Sequence, residues 1–182
     1  MALHGGAQVS APAFRTLGWR ALPRPVRTLG WWLTLVQAVG YTTSLVYVWL
    51  TTRMVPGGIA SHYRGDDPGA TQGPMHFGKS FAEMLTVTHT HLLSMAAIFA
   101  MSGAALALCA RPVERWRRFL IAEPFGALLI SFAAMWLMRY ADPRFAWLLE
   151  ASSAVMAVTF YIQTALVLRE LRRVAREEAV GT

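Results

Sequence analysis

His89 and His91 stand two residues apart in Thr-His-Thr-His-Leu-Leu-Ser-Met, inside a stretch that otherwise reads as a lipid-embedded helix. Imidazole is the commonest metal ligand because one ring nitrogen is a free donor near neutral pH, so the pair raises the question of a bound cofactor. On an ideal helix, residues two apart point about 200° from each other. The two rings therefore cannot chelate one ion while the helix is continuous. His91 shares a stripe with Thr88, Ser94, Met95, Ile98 and Ser102, a weakly polar face. His89 shares one with Thr86, Leu93, Ala96, Ala100 and Gly103, whose small side chains permit close helix contact. Both faces read as turned into protein rather than towards lipid.

Ionisable groups within spans are costly and are functional candidates by default. At the level of the two histidines the sequence also places Glu150 and Arg139, with Tyr47 near by, while Glu123 stands apart near the other end of its span. His62 and His76 lie in the connection before the histidine helix. Several chemistries fit this set. One or both imidazoles can hydrogen-bond to Glu150, to threonine side chains or to a carbonyl and hold the helices in register, since every polar group in lipid needs a partner. His91 or His89 can be the axial ligand of a b-type haem, with the second ligand from His76, His62, Met95 or the matching histidine of a second copy. Copper is a further candidate, because Met75, Met84 and Met95 accompany the histidines and thioether plus imidazole suits Cu(I). Glu150 and Arg139 can also line a proton path or a quinone head-group site, although an interfacial ion pair accounts for them more simply.

The elements that must position these residues follow from composition. Of 182 residues 55% are apolar and 12% aromatic, which is too hydrophobic for an ordinary soluble domain. A hydrocarbon core of about 30 Å needs roughly 20 apolar residues per helix, and four stretches qualify: 31–50, 81–109, 119–138 and 145–168. The expected fold class is an all-α, integral membrane four-helix bundle. The net charge of +7 is distributed by topology. Arginines crowd the segment before the first span, the connection between the second and third, and the segment after the fourth. By the positive-inside rule both termini are expected in the cytoplasm, and nucleic acid is not an expected partner. Cys109, the one cysteine, permits no disulfide framework and reads as a small buried or interfacial residue. The first span lacks a small-residue cleavage site and reads as a retained anchor.

Residues 1–29 form an expected cytoplasmic arm that lies on the membrane surface through Phe14, Trp19 and its arginines. Residues 30–168 hold the transmembrane domain, with an outer loop at 51–79 read as turn-rich and without secondary structure of its own, and residues 169–182 a basic tail. Ser80-Phe-Ala-Glu83 fits a capping box, which starts the second helix near Phe81. Pro124 falls early in the third helix and bends it unless the helix begins there.

Thr-His-Thr-His-Leu-Leu-Ser-Met resembles the start of the second helix in relatives of haem–copper oxidase subunit I. That resemblance implies a low-spin haem ligand at His89 or His91. This chain has four spans where that group has about twelve, and the third and fourth spans hold no histidine for an opposite ligand. Gly-Ile-Ala-Ser-His-Tyr-Arg-Gly-Asp, Phe-Gly-Lys-Ser-Phe-Ala-Glu and Thr-His-Thr-His together resemble a group of small, uncharacterised four-helix bacterial inner-membrane proteins, which implies respiratory electron transfer. Some larger relatives carry a c-type haem segment in the outer loop; this chain has no Cys-x-x-Cys-His and cannot attach haem that way. The expected function is electron transfer in the inner membrane, with a b-type haem or quinone near the outer face, or service as a small subunit of a respiratory complex or homo-oligomer. A non-catalytic assembly subunit and a copper-handling protein are the alternatives. No hydrolase motif is present.

Overall fold

The computed structural model describes residues 18–66 and 76–180. It is all-helical: α1 Arg24–Thr52, α2 Pro56–Arg64, α3 Phe81–Ala107, α4 Glu114–Tyr140 and α5 Phe145–Val180, with a short 3₁₀ turn at Trp19–Ala21 ahead of α1. Among the described residues β-structure is limited to one isolated bridge, Gly65 with Phe77. Four of the helices, α1, α3, α4 and α5, are long and apolar enough to cross a membrane. At 36 residues, α5 is about 54 Å long, well beyond a hydrocarbon core of about 30 Å.

Neighbouring helices meet in steady antiparallel registers. From α3 to α4, Thr88 meets Trp136, Phe99 meets Phe125 and Gly103 meets Ile121, so each step along one helix is matched on the other. From α4 to α5, Ser131 bonds Ser152 and Leu120 accepts from Gln163, again one register. From α1 to α5, Thr42 bonds Tyr161 and Arg172 stacks over Trp31. Close approach at these seams depends on small residues: Ala127, Ser131, Ala134 and Ser152 are buried. In lipid, packing of this kind holds helices together in place of the hydrophobic effect.

One end of the bundle carries α2 and the α4–α5 turn; the other carries most of the arginines. At the arginine end residues 18–23 do not lie outside the bundle as expected from sequence. Trp19 is buried, donates its indole N–H to the Ala105 carbonyl at 3.0 Å, and accepts no substitute at Gly30, where a Cβ would stand 2.5 Å from the indole ring. Ala105 is in the last turn of α3, whose carbonyls have no helical donor. Trp19 supplies one missing donor, and beyond the helix end Arg117 donates to the Cys109 carbonyl at 2.9 Å. Cys109 itself is buried among Trp19, Leu106 and Leu120. Residues 169–180, expected as a tail, continue α5 and pair with the 3₁₀ turn through Arg20–Glu177 and with the start of α1 through Arg27–Glu178. The remaining expectations for the arm, including Phe14, lie outside the described residues.

At the other end, the connection expected to lack secondary structure contains α2. Pro56 sits in its first turn, where the missing N–H costs nothing. Ile59 is buried with Met84, Met135, Met138 and Ala146, so α2 lids the ends of α3, α4 and α5. The capping box is present: Glu83 N donates to Ser80 Oγ at 3.3 Å and Ser80 N to Glu83 Oε2 at 2.7 Å. Helix α4 runs through Pro124, which is buried.

Candidate functional site

The core-facing residues of α3 are Met84, Thr88, Leu92, Met95, Phe99, Ser102 and Leu106. His89 and His91 flank that face on opposite sides, and both are exposed on the chain. This corrects the expectation that their faces turn into protein: α3 touches α4 and α5 over a narrow arc, and the arc excludes both rings. His91 Nδ1 lies 3.0 Å from the Val87 carbonyl of its own helix. A carbonyl only accepts, so Nδ1 bears the hydrogen, and in the neutral ring the lone pair is left on Nε2. His89 makes no hydrogen bond among the described residues. Thr90 and Ser94, beside His91, are also exposed, and each spare hydroxyl can turn to the helix backbone, as Ser94 does to the Thr90 carbonyl at 2.8 Å.

The other residues picked out by sequence scatter. Met95 is half-buried against the Tyr41–Phe99–Phe160 aromatic cluster, and Met84 is wholly buried under α2, so their sulfurs belong to the core. Glu150 is half-buried with Oε2 lacking a partner, and no described hydrogen bond joins it to either histidine or to Arg139. Arg139 donates to the Lys79 carbonyl at 2.8 Å and lies 5.0 Å over the Tyr140 ring. Tyr47 is 65% exposed on α1.

His62 and His76 do come together, with ring centroids 6.5 Å apart. They sit on a clip that ties α2 to the start of α3. Asp66 N donates to the His76 carbonyl at 3.0 Å, His76 N donates to Asp66 Oδ2 at 2.7 Å, and Lys79 N donates to the Tyr63 carbonyl at 2.9 Å. Gly65 adopts φ +88°, and a Cβ there would stand 2.6 Å from Gly78 N, so the clip requires glycine. The Ser61 hydroxyl and then the His76 N–H hold the Asp66 carboxyl below its ordinary range. Burial, followed by the Lys79 ammonium and His76, holds the His62 imidazole below its ordinary value of 6.5. Among the described residues no three of His, Cys, Asp or Glu form a metal-sized group.

Sequence spacing missed the polar groups that stitch the interior. Pro124 has no N–H, so the Leu120 carbonyl one turn earlier loses its helical donor. Gln163, on α5 and fully buried, gives that carbonyl its Nε2–H. Pro124 inside a predicted span was the available signal, and Gln163 is the one amide side chain in the fourth span. Trp136 Nε1 donates to Thr88 Oγ1 at 2.9 Å, and Ser131 bonds Ser152 at 2.7 Å. Arg64 donates to the Met138 carbonyl at 2.8 Å, a cation at the negative end of α4; its position in α2 gave no hint of that target.

A model of the family Aq_1264_TM, a transmembrane helical domain, matches residues 53–178. No curated protein and no solved structure matches.

Proposed function

The chain belongs to that family of transmembrane helical domains, and on that premise we propose that it serves electron transfer in a bacterial inner membrane, with His91 as an axial ligand of a b-type haem at the outer half of α3. The observation that carries the reading is the bond from His91 Nδ1 to the Val87 carbonyl. Metal-bound histidines donate their other ring N–H in this way, which fixes the tautomer and aims the free nitrogen. An exposed imidazole within a span has no favourable contact with lipid, so its environment in the membrane includes something that takes Nε2. A haem fits with a single ligand from this chain: Met95 points to the core, and the His62–His76 pair belongs to the clip. Any further protein ligand would come from a second copy or another subunit of a redox complex. When bound, the haem supplies one-electron redox chemistry; the protein supplies the nitrogen and its orientation.

The test is an absorption spectrum of the purified protein, oxidised and dithionite-reduced, after expression with ample haem. A Soret band with reduced α and β bands is expected. Their absence at stoichiometric level, with haem available, overturns the reading.

A second reading has its own observation. The outward face of α3 carries many small or hydroxylated residues, with Thr86, Thr90, Ser94, Ala97, Ala100 and Ala104 all exposed alongside Leu85, Leu93 and Met101. The outward face of α5 carries Trp147, Val155, Val158 and Ile162 instead. Small residues mark helix–helix contacts in membranes, so the alternative is an assembly subunit whose α3 docks on a partner helix. A haem-free protein that cross-links to a partner through Ala97→Cys decides for it.

A further inference from the structure

The outward side of α5 changes character along one stripe. Val158, Ile162, Ala165, Arg169, Arg172 and Arg176 follow one another at steps of four and three residues, so they share a face of the helix. The first three, with Tyr161 and Leu166, line an open groove of about 450 Å³ that reaches Arg169. Arg169 also borders a second hollow of about 350 Å³, whose other walls are Arg172, Arg173, Arg176 and Glu177. The two hollows meet at one guanidinium. From Trp147, exposed near the start of the same helix, to Ala165 is about 27 Å at 1.5 Å per residue, close to a hydrocarbon thickness of about 30 Å. The apolar groove thus lies at acyl-chain depth. Arg169 and Arg172 follow at headgroup depth, with Arg176 a turn beyond.

The charges select the occupant. Residues 169–180 hold four arginines and three glutamates, and the carboxylates are taken. Glu170 pairs with Arg173, Glu177 with Arg20 and Arg173, and Glu178 with Arg24 and Arg27. Arg169, Arg172 and Arg176 form no ion pair among the described residues. Arg172 lies 5.0 Å over the Trp31 ring of α1, a contact that steadies the guanidinium without using its charge on a carboxylate.

We propose that this stripe is a binding site for one anionic phospholipid, with its phosphate on Arg169 and Arg172 and an acyl chain along Val158, Ile162 and Ala165. Arginine matches phosphate oxygens in paired hydrogen bonds, and basic pockets beside membrane helices hold such head groups. A zwitterionic lipid brings its own ammonium to the same place and gains less from three unpaired cations. A free phosphate gains nothing from the groove. Arg115 and Arg118 of α4 are exposed at the same end but line neither hollow. The site is independent of His91.

The test is native mass spectrometry of the full chain, delipidated in detergent and titrated with phosphatidylglycerol or with phosphatidylcholine of the same acyl chains. A parallel series adds inorganic phosphate. Wild type is expected to bind phosphatidylglycerol about tenfold tighter than phosphatidylcholine, and equimolar phosphate is expected not to displace it. Arg169→Gln with Arg172→Gln is expected to abolish the preference. Arg115→Gln with Arg118→Gln, which removes the same charge, is expected to keep it. Ala165→Trp fills the groove, changes no charge and is expected to weaken phosphatidylglycerol binding severalfold. Equal affinity for the two lipids in wild type overturns the proposal without recourse to any variant. An equal loss in both arginine pairs also overturns it, by showing a diffusely basic end. Displacement by phosphate, or indifference to Ala165→Trp, overturns it in favour of an anion site with no seated chain. A lipid-free dimer that the Arg169 and Arg172 changes abolish gives the face to a second copy instead.

Discussion

His89 and His91 on α3, and Glu123 and Gln163 on α4 and α5, are all polar residues in membrane-spanning helices, yet the first pair looks outward and the second inward. The histidines are exposed, and among the described residues the one bond either makes is from His91 to its own helix. The inner groups are enclosed by three helices, and one of them repairs the backbone of its neighbour. The difference separates two uses of polarity. Outward polar groups add little to the fold of the single chain and await a partner. Inward ones are part of the fold.

The largest expected effect lies inside. Gln163→Leu removes the donor to the Leu120 carbonyl and is expected to destabilise the bundle by about 1–2 kcal/mol, measured by unfolding in mixed micelles. Pro124→Ala returns a helical N–H to that carbonyl, so in its background the same change is expected to cost clearly less. An equal cost in both backgrounds would break the link between proline and glutamine. Ser131→Ala, which loses the bond to Ser152, is expected to cost about 0.6 kcal/mol, the average for such bonds in membranes. On the outside, His89→Leu and His91→Leu are each expected, in the haem-free chain, to stay within about 0.5 kcal/mol of wild type. A loss above that would mean that the pair is structural, and the contrast between the regions would fall.

The smallest effect is local to α2. His62 has a folded value held below its ordinary 6.5 by burial. Its contribution to the clip is full above 6.5 and is lost as pH falls towards the folded value, where the opened segment protonates and the closed one resists. Hydrogen exchange in α2, corrected for intrinsic rates, is expected to quicken as pH drops below 6.5 in wild type and to lose that dependence in His62→Gln.

The architecture was legible because span length and the Ser80–Glu83 box are local features. The α2 helix was hidden because Pro56-Gly-Gly reads as a turn, and only burial of Ile59 on three helix ends makes the segment helical. Trp19 was misplaced for a related reason: an indole in a basic arm suits a membrane surface, and nothing local reveals that Gly30 leaves a seat for it. The angular separation of His89 and His91 followed from helix geometry. Which of their sides faces protein depends on how little of α3 its neighbours cover. Gln163 meets the Leu120 carbonyl only through helix register, which no single span records.

The central claim is that His91 Nε2, with its ring oriented by the Val87 carbonyl, holds a haem iron. The most direct test is the haem content of His91→Gly purified with and without exogenous imidazole, beside His89→Gly. The expected result is loss of the Soret band in His91→Gly, its return with imidazole, and retention in His89→Gly. Full haem content in His91→Gly without imidazole would contradict the account.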